Sequence, residues 1–210
     1  MPAWWPDLLL IAAGAGVALL GHRTRRRWLV LLGQPRASAA CVALGWGRYE
    51  PGHPYGAWVL AGLALSCVGD LLMLLPRGLR ASLVAFGLVH VAYVAAFHTL
   101  VPARAWPLAA ALPFLAASVL VARWLWPHLG GLRAAVSAYV AVITVMVWAA
   151  LSVFAAGRVG WSVPVGAVLF YLSDLAVARE RFVRSSFANR AVGLPLYYAG
   201  QTLLALSLAP

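Results

Sequence analysis

The stretch Ala57–Leu75, AWVLAGLALSCVGDLLMLL, is long enough to cross a bilayer as a helix and carries a single charge, Asp70. A carboxylate set in hydrocarbon costs about 2.5 to 3.5 kcal/mol on insertion scales, so its presence marks a task rather than an accident of composition. A second apolar run, 162 to 178, repeats the arrangement with Asp174 directly after Ser173, as Asp70 follows Ser66 by one helical turn. These two are among only 5 acidic residues in the chain.

The rest of the chain has the same character. Over 210 residues, 64% are hydrophobic, 10% are charged and the mean hydropathy is +0.88. That leaves too little polar surface to cover a water-soluble globule. All 16 basic residues are arginines, and the formal net charge is +11. They gather in the breaks between apolar runs, which is the topology signal of a polytopic membrane protein and not a nucleic-acid-binding face. The 2 cysteines, Cys41 and Cys67, sit in apolar runs and read as packing residues, with neither a disulfide framework nor a CxxC motif. The first apolar run has no basic segment before it, so no cleavable signal peptide is expected.

Runs of suitable length fall at 4–21, 29–46, 57–75, 81–100, 106–122, 134–156, 162–178 and 194–209, with Gln34, Pro35 and Arg36 interrupting the second. The expectation is an all-α membrane bundle of about eight helices forming one domain over 1–210. Arginines 23, 25, 26, 27, 77, 80, 123, 133, 179, 181, 184 and 190 lie in the connections after runs one, three, five and seven; only 48, 104 and 158 lie opposite. The positive-inside rule therefore places the first set in the cytoplasm and both termini outside, across the plasma membrane.

With that orientation Asp70 and Asp174 each lie about 8 to 9 Å from the cytoplasmic helix ends, so one pocket can hold both. Helical spacing puts Ser66 on the Asp70 face and Ser173 on the Asp174 face, while His90 and Tyr93 share a stripe on the fourth run and Tyr197, Tyr198 and Gln201 on the eighth. Tyr93 follows Asp70 by 23 residues and Tyr197 follows Asp174 by 23, a spacing that fits two parallel four-helix halves as well as it fits coincidence.

Paired intramembrane aspartates suit several tasks. They serve as acid and base in a hydrolase, as a proton relay in a small transporter, or as structural hydrogen bonds in a lipid-binding protein without turnover. One His with two Asp is a thin set for zinc, so His90 reads as a water-orienting or satisfied polar residue, and a metal-dependent lipid hydrolase stands as an alternative. No cofactor is expected.

Several ordered motifs together resemble the YhhN/TMEM86 family of eight-helix membrane proteins: Ser66-x-x-Gly69-Asp70, the segment holding Phe86, Gly87, His90, Tyr93 and Phe97, Tyr139 through Met146-x-Trp148, Phe170-x-x-Ser173-Asp174, and Tyr197-Tyr198-x-x-Gln201. The resemblance implies lysoplasmalogenase activity, the hydrolysis of a lysoplasmalogen vinyl ether to a fatty aldehyde and glycerophosphoethanolamine or glycerophosphocholine. It also implies that Asp70 and Asp174 are the catalytic pair. Family members often carry Lys before the proline of the second helix; Gln34-Pro35-Arg36 departs from that, and Arg36 is one candidate for the lipid phosphate. Arg77, Arg80, Arg179 and Arg181 are the others.

Two carboxylates match the chemistry. Protonation of the alkene yields an oxocarbenium ion that water attacks, so one acid must give a proton and a second group must stabilise positive charge, as glycosidases do toward a similar cation. The reading assigns Asp70 the proton-donor role and Asp174 the ionised one, with Ser66, His90, Tyr93, Ser173, Tyr197, Tyr198 and Gln201 supporting water or glycerol hydroxyls. The expected partners are a lysophospholipid and the surrounding lipids.

Overall fold

Inside hydrocarbon a chain must satisfy its own backbone donors and acceptors, and a helix does so within each segment. A computed structural model describes residues 4–208, and eight α-helices make up the bundle: α1 Trp5–Thr24, α2 Arg27–Trp46, α3 Pro54–Met73, α4 Leu79–Leu100, α5 Leu108–Leu125, α6 Arg133–Ala155, α7 Ser162–Ala178 and α8 Phe187–Leu206. The final residue of the expected eighth span, 209, lies outside the described residues.

Two boundaries differ from expectation for local reasons. The helix α8 begins at Phe187, well before residue 194, because the Ser186 side chain caps it by accepting from the Asn189 N–H at 3.3 Å. The helix α2 runs straight through Gln34-Pro35-Arg36. The carbonyl of Gln34, one residue before the proline, accepts the hydroxyl of Tyr198 at 3.0 Å, so α8 buttresses the spot where the polar sequence suggests a break.

Six of the helical segments are long and apolar enough to cross a membrane by composition. The two that fall short, α2 and α8, carry buried polar residues, Gln34 and Ser38 on the first and Asn189 and Gln201 on the second. They are polar because their inner faces build the interior of the bundle, not because they leave it.

Helices α1 and α2, α3 and α4, and α7 and α8 form close pairs, while α4 against α6 and α2 against α8 join the two halves. Where α7 meets α8 the backbones touch: a Cβ at Gly200 would lie 2.8 Å from the Gly166 carbonyl oxygen. Small residues at such crossings let membrane helices approach without a side chain between them.

The packing has a repeat in it. Advancing every residue number by 104 carries Gly62 onto Gly166, Asp70 onto Asp174 and Tyr93 onto Tyr197. The same operation exchanges α2 with α6 and α4 with α8, and the joints between halves, α4 on α6 and α8 on α2, exchange with it. Helices that correspond under this offset therefore make corresponding joints between the halves.

One end of the bundle is hollow. The turn joining α1 to α2, the end of α3, the start of α6 and the segment from α7 to α8 surround a cavity of about 810 Å³ that opens among arginines. The opposite end is closed by contacts such as Tyr55 Oη to Ser207 Oγ at 2.6 Å and the Arg48 guanidinium to the Leu206 carbonyl at 3.3 Å.

Candidate active site

Asp70 and Asp174 both line this cavity, each about one helical turn from the end of its helix. Asp70 is 4% exposed and accepts three hydrogen bonds: the Gln34 amide at 3.2 Å on Oδ1, the Ser38 hydroxyl on Oδ2, and the Tyr197 hydroxyl at 2.8 Å on Oδ2. Asp174 is more open, with a side chain 18% exposed, and its Oδ2 meets the Tyr139 hydroxyl at 2.7 Å and His90 Nε2 at 3.2 Å. Buried carboxylates persist when donors occupy their lone pairs, and both are supplied from neighbouring helices.

The two donor sets follow the repeat. Asp70 on α3 is held by α2 and α8, and Asp174 on α7 is held by α6 and α4, which are their equivalents. The donating residues themselves are not related by the offset: Tyr197, the counterpart of Tyr93, holds Asp70, and His90, the counterpart of Leu194, holds Asp174. One scaffold therefore gives its two acids different environments.

An aromatic wedge stands between them. Phe170 packs against the His90 ring with centroids 4.8 Å apart and against the Tyr197 ring at 5.5 Å, so the residues holding the two carboxylates flank one side chain. Phe86 packs edge-on against both Phe170 and Tyr197 and lines the cavity wall. Gly69, beside Asp70, makes room for it: a Cβ there would lie 2.9 Å from the Phe86 ring.

His90 is fully buried, and its Nδ1 has no hydrogen-bond partner. Its Nε2 is the ring nitrogen turned to the site, within hydrogen-bond distance of both the Tyr139 hydroxyl at 3.0 Å and Asp174 Oδ2. Asp174 Oδ2 thus accepts from the Tyr139 hydroxyl beside the His90 ring nitrogen.

Asp70 is held differently. The Ser38 hydroxyl lies within reach of both Asp70 Oδ2 and the Gln34 carbonyl at 3.0 Å, and the Tyr198 hydroxyl lies 3.1 Å from Ser38 and 3.0 Å from the same carbonyl. A protonated Asp70 donates to Ser38, which passes its own proton to the Gln34 carbonyl. An ionised Asp70 accepts from Ser38, and Tyr198 takes over that carbonyl. Both protonation states are satisfied with no heavy atom moving.

The remaining supporting residues have separate places. Ser66, Tyr93 and Gln201 form their own buried network, Tyr93 Oη donating to Gln201 Oε1 and Gln201 Nε2 donating to Ser66 Oγ at 2.6 Å; none of the three lines the cavity. Ser173 lines it but donates to the Phe170 carbonyl at 2.7 Å. Of the phosphate candidates only Arg181 lines the cavity; Arg77, Arg80 and Arg179 do not, Arg179 donating to Asn189, and Arg36 lies on the outer groove between α1 and α2 with its guanidinium on the Leu32 carbonyl at 2.9 Å. The mouth instead meets Arg23, Arg25, Arg27 and Arg190.

Sequence reasoning assigned no role to Gln34, Ser38 or Tyr139. Ser38 sits one turn after Gln34, the spacing that would have flagged a shared polar face on α2. Tyr139 opens one of the motifs that carry the family resemblance, but helical spacing on α6 gave it no acidic partner. Among the described residues no group of three or more His, Cys, Asp or Glu side chains comes together as a metal site.

The sequence profile described as the YhhN family matches residues 32–208, a stretch that holds every residue of both carboxylate centres. The chain belongs to the YhhN family. Over 163 residues it is 31% identical to lysoplasmalogenase TMEM86A of Bos taurus, covering 74% of this chain and 66% of that protein. It is 33% identical over 159 residues to a lysoplasmalogenase of Mycobacterium tuberculosis, covering 70% of this chain and 58% of that one. It is 34% identical over 154 residues to the uncharacterized membrane protein YhhN of Escherichia coli O157:H7, covering 71% and 73%. The match thus spans about two thirds of the cattle protein and less of the mycobacterial one. No solved structure matches this YhhN-family chain.

Proposed function

We propose that this integral membrane protein hydrolyses the vinyl ether of a 1-alkenyl lysophospholipid taken from the cytoplasmic leaflet, with Asp70 as proton donor and Asp174 as the ionised partner. The observation that carries the reading is the sharing of one cavity by two carboxylates held by different sets of hydrogen-bond partners, hydroxyls and an amide at Asp70, a tyrosine and an imidazole at Asp174. The lysoplasmalogenase names of the cattle and mycobacterial relatives support it.

The step balances without a cofactor. Asp70 gives its proton to the alkene carbon remote from the ether oxygen, and the π electrons leave the carbon beside that oxygen as an oxocarbenium ion facing Asp174. Water adds to it, and the proton that water loses restores the acid form of Asp70. The resulting hemiacetal breaks its bond to the glycerol oxygen as its hydroxyl proton passes through Asp174 to that oxygen, releasing a fatty aldehyde and a glycerophospho compound. Ser38 and Tyr198 let Asp70 lose and regain its proton without leaving a buried group unpaired.

The cavity has the right ends for such a substrate: carboxylates within, and arginines at the mouth where the positive-inside rule puts the cytoplasm. The test is aldehyde release by purified protein in detergent from a 1-alkenyl lysolipid. Hydrolysis needs no sealed compartment, so activity there separates an enzyme from a transporter. Absence of aldehyde from a folded protein across a range of head groups refutes the reading.

A further inference from the structure

We infer that the mouth of this cavity selects lysolipids whose head group is net negative and carries no ammonium, such as a phosphate monoester or a phosphoglycerol, over the zwitterionic ethanolamine and choline forms. The inference rests on the hydrolase reading of the same cavity and concerns which head group enters it.

The charges at the mouth are one-sided. Arg23, Arg25, Arg27 and Arg181 line it, and among the described residues none of them lies within 4.0 Å of a carboxylate. Arg27 and Arg181 reach across to the end of α3, donating to the Leu74 and Met73 carbonyls at 3.3 and 3.5 Å, which brings guanidiniums from the first and last turns of the bundle to one rim. Guanidiniums held as a group over a low-dielectric cleft concentrate phosphate.

A zwitterionic head also needs a seat for its ammonium, either a free carboxylate or an open aromatic face. The one carboxylate at the mouth is Glu180, in the π-helical turn Arg179–Val183, and its oxygens are already taken. Arg190 donates to it at 2.7 Å, the Ser185 hydroxyl at 2.7 Å, the Ser186 N–H at 2.7 Å and the Asn189 amide at 3.0 Å. The face of Phe187 is covered by the Arg23 guanidinium, 5.2 Å from the ring centroid. Asp70 and Asp174 lie deeper, with the reacting atoms. The rim therefore offers phosphate oxygens several guanidiniums and offers an ammonium no free carboxylate.

The test compares four 1-alkenyl lysolipids of one chain length, bearing phosphate, phosphoglycerol, phosphoethanolamine or phosphocholine, diluted in micelles of an uncharged detergent. We expect kcat/KM for the two anionic heads to exceed that for the zwitterions by roughly tenfold or more, the advantage to shrink in about 0.5 M salt, and Arg25→Gln with Arg181→Gln to raise KM more for the anionic heads than for the zwitterions. Equal or faster turnover of the ethanolamine or choline forms overturns the inference. If no substrate yields aldehyde, thermal-shift titration with the matching 1-alkyl lysolipids decides it separately. Tighter binding of the anionic heads upholds the selection although the hydrolase reading has failed, and indifference to head group refutes it.

Discussion

Replacing Asp70 by Asn or by Leu separates chemistry from stability. An asparagine has the shape of the aspartate and keeps most of the site satisfied: its carbonyl oxygen accepts from Gln34, and its NH2 takes the Oδ2 position, where the hydroxyls of Ser38 and Tyr197 turn to accept. Ser38 then donates to the Gln34 carbonyl, 3.0 Å away. Only the Tyr197 O–H loses its acceptor, so the variant should lose about 1 to 3 kcal/mol of stability. What it lacks is an acidic proton, and a positioned general acid contributes about 10²- to 10⁴-fold, so aldehyde release should fall by that factor. Leucine removes the acceptor altogether. Ser38 retains the Gln34 carbonyl, but the Gln34 amide and the Tyr197 hydroxyl are left buried and unpaired at about 1 to 3 kcal/mol each, so Asp70→Leu should lose about 2 to 6 kcal/mol. Thermal unfolding in detergent, read alongside initial rates from the same preparations, checks both halves. Asp70→Asn retaining activity to within threefold, or Asp70→Leu proving as stable as the parent, refutes the reasoning.

Tyr139→Phe removes the hydroxyl 2.7 Å from Asp174 while keeping the ring; hydrogen bonds to charged groups are worth about 1.5 to 3 kcal/mol, so kcat should drop by roughly ten- to hundredfold with KM little changed, as steady-state kinetics will show. Gly69→Ala puts a methyl carbon 2.9 Å from the Phe86 ring, an overpacking expected to cost about 1 to 3 kcal/mol in thermal unfolding, and Phe86→Leu should recover part of that loss in the double variant. Gln201→Leu strands the Tyr93 hydroxyl, while Ser66 keeps the Gly62 carbonyl, and does not touch the cavity, so it should lower the unfolding midpoint while the kcat of the folded fraction stays within about threefold of the parent.

Much of this molecule was legible in one dimension. The eight apolar runs, the pairing of Asp70 with Asp174 at one depth and the concentration of arginines at one end are matters of composition and of a 1.5 Å rise per residue, which the bilayer turns into geometry without help from tertiary contacts. Partnership across helices was not legible in that way. That Ser38 and Gln34 close on Asp70, that Tyr139 and His90 close on Asp174, and that Ser66, Tyr93 and Gln201 turn to one another instead depends on how each helix is rotated about its axis, and side-chain packing between helices sets that rotation. The arginines at the cavity mouth, Arg181 apart, differ from those expected to hold the phosphate for the same reason. Arg36 is one turn from nothing acidic in sequence, yet the rotation of α2 that turns Gln34 and Ser38 inward turns Arg36 out to the lipid-facing groove, while the turn at Arg23 to Arg27, which reads as a topology signal alone, folds over the cavity mouth.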